Sequence, residues 1–288
     1  MQPRFERTGT ALAVAALALL LSGCDAAWIT VDLGTDPPAD PEISAVQANL
    51  LGLEFRKGDS TTTTLEFRDG ELVDLLDLRD ADPLRLFTNE ELPVGTYTGI
   101  RLLFDPDQEQ SRVTTSAGDT RLRLAAGTFA AVSFTVEDEK ESREEFTLML
   151  DLRQSLSFDE ANDRYTLTPV LRSVRTEDAA RVEGNVSVVC PVGTVLQDEG
   201  AIYLYSGRNV QADDLDGAEA EPFATTGVID SGTAAFRYAL RFLPAGNYTL
   251  AFTCQGDEEV PGSSENLDFR SVENVEIEAG DVLQWNLD

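Results

Sequence analysis

The chain has 288 residues, 52 acidic against 22 basic, with 42% hydrophobic residues, three cysteines and no histidine. A net charge of −30 excludes a nucleic-acid-binding role, because phosphate contacts need clustered Lys and Arg and this field repels polyanions. The missing histidine removes Ser-His-Asp and Cys-His nucleophiles, imidazole metal sites and the usual general base near neutral pH, and leaves Lys57 and Lys140 as the two lysines. At roughly 100 to 200 residues per domain the length predicts two domains.

Arg4 and Arg7 form a positive leader, and residues 11–21 are an unbroken apolar run of eleven, too short to span a bilayer as a helix. Leu21, Ser22 and Gly23 then lead into Cys24, a context that resembles the lipobox of bacterial lipoproteins. The resemblance implies that residues 1–23 are a lipoprotein signal peptide and that Cys24 is acylated on its sulfur and on its new amine. Several chains are needed because each buried methylene gives only ~0.8 kcal/mol and one chain holds marginally. The alternative is an ordinary cleaved signal that happens to end near a cysteine. Asp25 resembles the inner-membrane retention signal of enteric lipoproteins; since that rule differs between bacterial groups, the outer membrane and the periplasmic face of the inner membrane both stay open. No later segment reaches eighteen consecutive apolar residues, so lipid is the expected membrane attachment.

Residues 24–42 carry three prolines and five acids, with few core-forming residues after Leu33, and read as an acidic tether. From Ile43 the pattern has period two: Leu51, Leu53 and Phe55; Ile100, Leu102 and Phe104; Leu122 and Leu124. Phe146, Leu148, Leu150 and Leu152 face one way, with Thr147, Asp151 and Arg153 on the other side, and Tyr165, Leu167, Pro169 and Leu171 close the set. Turn signals at Lys57-Gly58-Asp59, Asp69-Gly70, Pro93-Val94-Gly95 and Ala117-Gly118-Asp119 punctuate these strands, which favours an antiparallel sandwich. The one helical pattern is short and spans 71–78.

Several blocks carry a family resemblance. Val73-Asp74-Leu75-Leu76-Asp77-Leu78, Leu92-Pro93-Val94-Gly95-Thr96-Tyr97, Leu150-Asp151-Leu152 with Ser155, and Tyr165-Thr166-Leu167-Thr168-Pro169 are similar to successive blocks of the domain of unknown function 4382 of bacterial lipoproteins. That resemblance implies a β-sandwich envelope domain over 43–178 and carries no catalytic residues with it.

A second unit, 181–288, repeats the alternation in Val186, Val188 and Cys190, in Phe236, Tyr238, Leu240 and Phe242, and in Tyr248, Leu250, Phe252 and Cys254. Leu243-Pro244-Ala245-Gly246-Asn247-Tyr248-Thr249 resembles the turn of prealbumin-like and carboxypeptidase-regulatory-like domains, and it echoes 92–98. The expected fold is therefore all-β, with two antiparallel sandwiches of Ig-like or prealbumin-like type. With Cys24 lipidated, Cys190 and Cys254 remain on inward parities in an oxidising compartment, which predicts an inter-sheet disulfide worth roughly 4 kcal/mol in the chain-entropy model. The alternative is a pair of free core thiols.

Acidic clusters are the candidate chemistry. Asp213, Asp214 and Asp216 offer the oxygens Ca²⁺ prefers, as do Asp105, Asp107 and Glu109. Neither completes a calcium loop, since an EF-hand ending at Asp216-Gly217 would put Ala212 in the first ligand position. Three carboxylates in a loop predict diffuse, salt-screened cation binding, with no ordered metal site and no cofactor. The run 137–145 reads as an exposed hairpin, and Ser155 or Ser157 would lack a histidine base. The expectation is a non-enzymatic envelope lipoprotein that binds or scaffolds other envelope proteins, with a carbohydrate-binding surface lipoprotein as the alternative. An array of exposed aromatics would favour the sugar, and an apolar patch rimmed by acids would favour a protein partner.

Overall fold

The computed structural model describes residues 27–79, 82–105, 110–137, 142–218, 220–230, 232 and 236–288. The expected signal peptide, its lipobox, Cys24 and Asp25 lie outside the described residues. No described helix is long and apolar enough to cross a membrane.

The chain is all-β. In the first unit the strands are β1 (Ala27–Asp36), β2 (Ala45–Lys57), β3 (Thr62–Asp74), β4 (Leu84–Leu92), β5 (Gly95–Phe104), β6 (Arg112–Thr115), β7 (Gly118–Leu124), β8 (Ala130–Val136), β9 (Ser142–Asp151), β10 (Leu156–Asp159), β11 (Arg164–Leu167) and β12 (Leu171–Arg175). One sheet runs β12-β9-β1-β4; the other runs β10-β11-β7-β6-β2-β5-β8, with β3 also on β2. Their inner faces bury one cluster in which Ile29, Val31 and Leu33 of the first sheet meet Leu53, Phe55, Tyr97 and Phe134 of the second. The sheets are mixed rather than purely antiparallel, because β1 pairs β9 in parallel and β11 pairs β7 in parallel.

The tether expectation is corrected by β1. Ile29, Val31 and Leu33 alternate inward, each at most 1% exposed, and β1 is hydrogen-bonded on both sides, to β9 and to β4. The scattered acids masked this period-two signal: Asp32 lies on the opposite face and holds Arg85 at 2.5 Å. The prolines follow the strand and make a short crossing to β2. Other differences arise from bulges. In β2 the register shifts between Leu50 and Gly52, so Val46, Ala48 and Leu50 point inward before it and Leu53 and Phe55 after it, leaving Leu51 half-buried. Asp69-Gly70 is not a hairpin turn: β3 continues through it, with Gly70 at φ +71° inside the bulge that takes up the extra residues. The pattern at 71–78 gives the end of β3 and then a 3-10 turn, Leu75–Leu78, whose Leu76 N–H bonds the Asp74 carboxylate. Thr147, Asp151 and Arg153, on the side opposite the core set, are nonetheless 1–3% exposed: Asp151 and Arg153 bond Thr225 and Gly256 of the second unit, and Thr147 meets the Thr176 hydroxyl.

The second unit pairs two four-stranded sheets. One runs β16 (Ile229–Asp230), β17 (Phe236–Leu243), β13 (Ala180–Val186) and β20 (Val282–Gln284); the other runs β15 (Ala224–Gly227), β14 (Ala201–Ser206), β18 (Gly246–Thr253) and β19 (Phe269–Ile277). Val182, Tyr238 and Leu240 pack against Leu204, Leu250 and Phe252. In β17 the alternation breaks: Phe242 takes φ +53° and is half-buried, and Leu243 fills the core place expected for Phe242. β13 ends at Val186, so Val188 and Cys190 lie in a loop, yet Cys190 still bridges Cys254, with Cα atoms 5.8 Å apart. The echo between the two units has a shared physical basis. Tyr97 donates to the Pro93 carbonyl (2.6 Å) and Tyr248 to the Pro244 carbonyl (2.9 Å), so each buried ring finds a partner in its own turn. A smaller cluster of Ala201, Tyr203, Tyr205, Leu215 and Ala251 lies on the outer face of β14 and β18, under the loops 207–223 and 254–268.

If β1 is a core strand, a chain beginning at Ile43 loses cooperative unfolding, and Leu33→Ala lowers stability by about 2–5 kcal/mol, read as a lower urea midpoint. A chain starting at Ile43 with the wild-type midpoint would contradict this assignment.

Candidate functional site

The two sandwiches meet on a buried polar seam. The parallel ladder of β1 and β9 ends on the pair Asp36 and Asp151, 4% and 2% exposed. Two like charges on neighbouring strands, removed from water, need partners. Asp151 caps the one-turn helix Leu152–Ser155 by accepting the Gln154 N–H, and takes the backbone N–H (2.8 Å) and hydroxyl (2.9 Å) of Thr225 from β15 of the second unit. Asp36 takes Arg172 of β12, whose other terminal nitrogen donates to the Arg241 carbonyl in β17 at 3.0 Å. Arg153 donates to the Gly256 carbonyl and lies over the Tyr203 ring, 5.9 Å from its centroid. Tyr203 in turn donates to Glu259 at 2.7 Å, and Glu259 accepts the Leu215 N–H at 3.0 Å. Burial, reinforced by the Asp151 charge, outweighs Arg172 and pushes the Asp36 carboxyl up to about 6; burial likewise raises Glu259.

The chain between β1 and β2 runs along this seam and divides two clefts. One, about 320 Å³, presents Pro38, Phe158, Tyr165 and Val260, with Asp40, Glu160 and Asp257 among its walls. The other, about 480 Å³, lies between that connection and the region of Arg153, Asp198 and Asp230. Phe158 is 43% exposed and leans on Tyr165 with ring centroids 4.8 Å apart.

In the loop after β14, Asp213, Asp214 and Asp216 each bring a carboxylate oxygen within 4.8 Å of the others. Glu265, from the loop after β18, donates its N–H to Asp214. Burial raises Asp214, Glu221 and Glu265, and the neighbouring acids add to each.

A family model, Domain of unknown function (DUF4382), matches residues 24–169. The chain belongs to this family. The matched span of the DUF4382 domain includes all of β1, in accord with its place in the core. No curated protein matches the chain. Among solved structures, the Bacillus anthracis TIE protein aligns at 11% identity and TM-score 0.22, over 91% of this chain and 34% of its own, so the chain spans about a third of that protein. A candidate cell adhesion protein from Bacteroides fragilis NCTC 9343 aligns at 10% identity and TM-score 0.21 over 90% and 92%; a fimbrial protein from Bacteroides ovatus ATCC 8483 aligns at 10% and 0.19 over 92% and 49%. Scores this low transfer no role to the DUF4382 chain.

Of the residues singled out in the sequence, the structure joins Cys190 to Cys254 and groups Asp213, Asp214 and Asp216. Ser155 is buried and spends its hydroxyl on the Asp151 carbonyl and the Val170 N–H, and Ser157 lines the smaller cleft. Asp105 accepts Asn49 at 2.9 Å, whereas Asp107, Glu109 and Lys140 lie outside the described residues. Asp36, Asp151, Arg153 and Arg172 were not legible as a group, since each sits in its own strand or turn and only the docking of the second unit joins them.

The raised Asp36 carboxyl gives a pH signature. The folded chain keeps this proton up to about pH 6 and the unfolded chain releases it near 3.8, so between about 4 and 6 the unfolded state holds fewer protons. The group's stabilisation is full below that window and lost, by about 3 kcal/mol at most, as pH rises through it. Urea unfolding of wild type against Asp36→Asn from pH 4 to 7 checks this: the difference, wild type minus variant, falls with rising pH. A difference that grows with pH would mean that Arg172 depresses the carboxyl instead.

Proposed function

We propose that this DUF4382 chain is a non-catalytic cell-envelope lipoprotein, anchored through acyl groups on Cys24, whose joined sandwiches offer the seam cleft to a polypeptide partner. The observation that carries this reading is the make-up of the smaller cleft: Pro38, Phe158 and Val260 form an apolar floor beside Asp40, Glu160 and Asp257. An apolar patch with acids at its edge suits a partner that brings apolar and basic side chains, and the net charge of −30 steers such a partner inward. A sugar platform takes an array of exposed aromatics; among the described residues Phe158 is the aromatic more than a third exposed. The buried charges of the seam are spent on one another and on backbone groups, and no histidine exists to activate Ser157. β1 opens at Ala27, three residues after Cys24, so a lipid there would hold the first sandwich within about 10 Å of the bilayer surface, as a scaffold needs.

One envelope experiment tests both parts. Cells expressing wild type, Cys24→Ala, or Phe158→Glu with Val260→Glu are crosslinked and fractionated with a carbonate wash. Wild type should stay with membranes and give a discrete protein adduct. Cys24→Ala should leave the membranes, while the cleft variant should stay and lose the adduct without a change in thermal midpoint, since both side chains are more than 40% exposed. Retention of Cys24→Ala on membranes would overturn the anchor, and an adduct that survives in the cleft variant would overturn the cleft.

A further inference from the structure

The outer layer of the second unit gathers acids in a way that solvation does not explain. The loop between β14 and β15 is fastened on three sides. Tyr205 donates to the Asp213 carbonyl at 2.5 Å and accepts the Asp213 N–H at 3.1 Å; Leu215 is 4% exposed in the small outer cluster; and its N–H and carbonyl are bonded to Glu259 and to the Gly262 N–H. Gly217, at φ +82°, turns the chain so that its own N–H meets Glu221 at 2.7 Å. These bonds fix the backbone and bring carboxylate oxygens of Asp213, Asp214 and Asp216 within 4.8 Å of one another.

Two buried carboxyl oxygens at this loop, one on Asp214 and one on Glu265, lack partners. Asp214 is 2% exposed, and its Oδ1 has no hydrogen-bond partner, although its Oδ2 accepts the Glu265 N–H. The Oε2 of Glu265, from a loop 51 residues further along the chain, is also buried without a partner. Among the described residues no Arg or Lys forms an ion pair or hydrogen bond with Asp213, Asp214, Asp216, Glu221 or Glu265, and the charges acting on Asp214 are those of Asp213 and Asp216. A buried carboxylate oxygen without donor or cation costs the full desolvation of its charge, and clustering acids adds repulsion.

We infer that Asp213, Asp214 and Asp216, completed by Glu265, form an ordered Ca²⁺ site that clamps the loop after β14 to the loop after β18. The donors are hard oxygens throughout, with no nitrogen or sulfur ligand, which selects Ca²⁺ or Mg²⁺ over transition metals. Three carboxylates converging in one loop, with Glu265 bonded to Asp214 through its N–H from a second loop, suit the flexible coordination of six to eight oxygens that Ca²⁺ takes, with water filling the remaining places, better than the strict octahedron of Mg²⁺. The sequence alone suggested diffuse binding because it offered three carboxylates in one loop; the fourth comes from elsewhere in the fold.

The test is titration calorimetry and thermal unfolding of the full chain, stripped with EDTA, in 0.15 M NaCl, where diffuse binding is screened. CaCl₂ should give a saturable isotherm of unit stoichiometry and raise the unfolding midpoint, and MgCl₂ should bind at least about tenfold more weakly, in keeping with its stricter geometry. Asp214→Asn with Asp216→Asn should lose both effects while unfolding in EDTA at or above the wild-type midpoint, because repulsion is removed. Glu90→Gln with Glu91→Gln, an equal neutralisation on β4, should bind as wild type does. Weak, non-saturating heat, or equal losses in the two double variants, would overturn the site.

Discussion

Two aspartates on the last rung of one parallel ladder set the terms for this molecule. Asp36 and Asp151 stand side by side at the ends of β1 and β9, nearly without solvent. A pair of carboxyls in that position is tolerable only when donors reach it, and the first sandwich supplies only some of them. Gln154 and Arg172 come from the same unit; the Thr225 N–H and hydroxyl come from the other. The outer face of the first sheet is therefore complete only when the second sandwich is docked on it. Arg172 and Arg153 extend the same logic in reverse, each carrying its charge from the first unit to a backbone carbonyl of the second. Buried ion pairs of this kind add little net stability over apolar packing, but removing one partner costs about 3–5 kcal/mol. They act as a registration device, admitting one way of seating the sandwiches.

That seating generates the surface features on which the functional reading rests. The crossing from β1 to β2 lies over the seam and walls both clefts, so their shape depends on both units at once. Glu259 joins the seam to the acidic loop: one carboxylate oxygen takes Tyr203, whose ring packs under Arg153, and the other takes Leu215 next to Asp214. Val260 and Pro261, immediately after it, line the smaller cleft. Seam, cleft and acidic loop are thus consecutive parts of one bonded path, not three separate patches.

Much of the fold was legible because period-two alternation reports a half-buried strand directly, and Leu53, Phe55, Ile100, Leu102, Leu240 and Leu250 stand where such patterns put them. The Cys190–Cys254 bridge followed from export and parity, even though Cys190 proved to lie beyond its strand. The misreadings share a cause: local pattern cannot register what packs from a distance. Leu51 changed face because a bulge at Gly52 inserts one residue, and Phe242 yielded its core place to Leu243 in the same manner. The burial of Thr147, Asp151 and Arg153 was not legible, because polar residues on one face of a strand signal water unless a distant segment covers them. β1 was hidden by its acids, although Ile29, Val31 and Leu33 carried the right spacing. The candidate sites were the least legible, since Asp36 meets Arg172 across 136 residues and Thr225 meets Asp151 across 74.

If the seam makes one body of two sandwiches, cooperativity is the property that shows it. Differential scanning calorimetry of the full chain, alongside Asp151→Ala, measures it most directly. Wild type should melt in a single transition whose calorimetric and van't Hoff enthalpies agree. The Asp151→Ala chain should melt in two transitions, one for each hydrophobic core, because the Thr225 N–H and hydroxyl of the second unit lose the carboxylate that ties them to the first. Two separate transitions in the wild type, or one unchanged transition in the variant, would contradict the claim that this buried pair holds the molecule together.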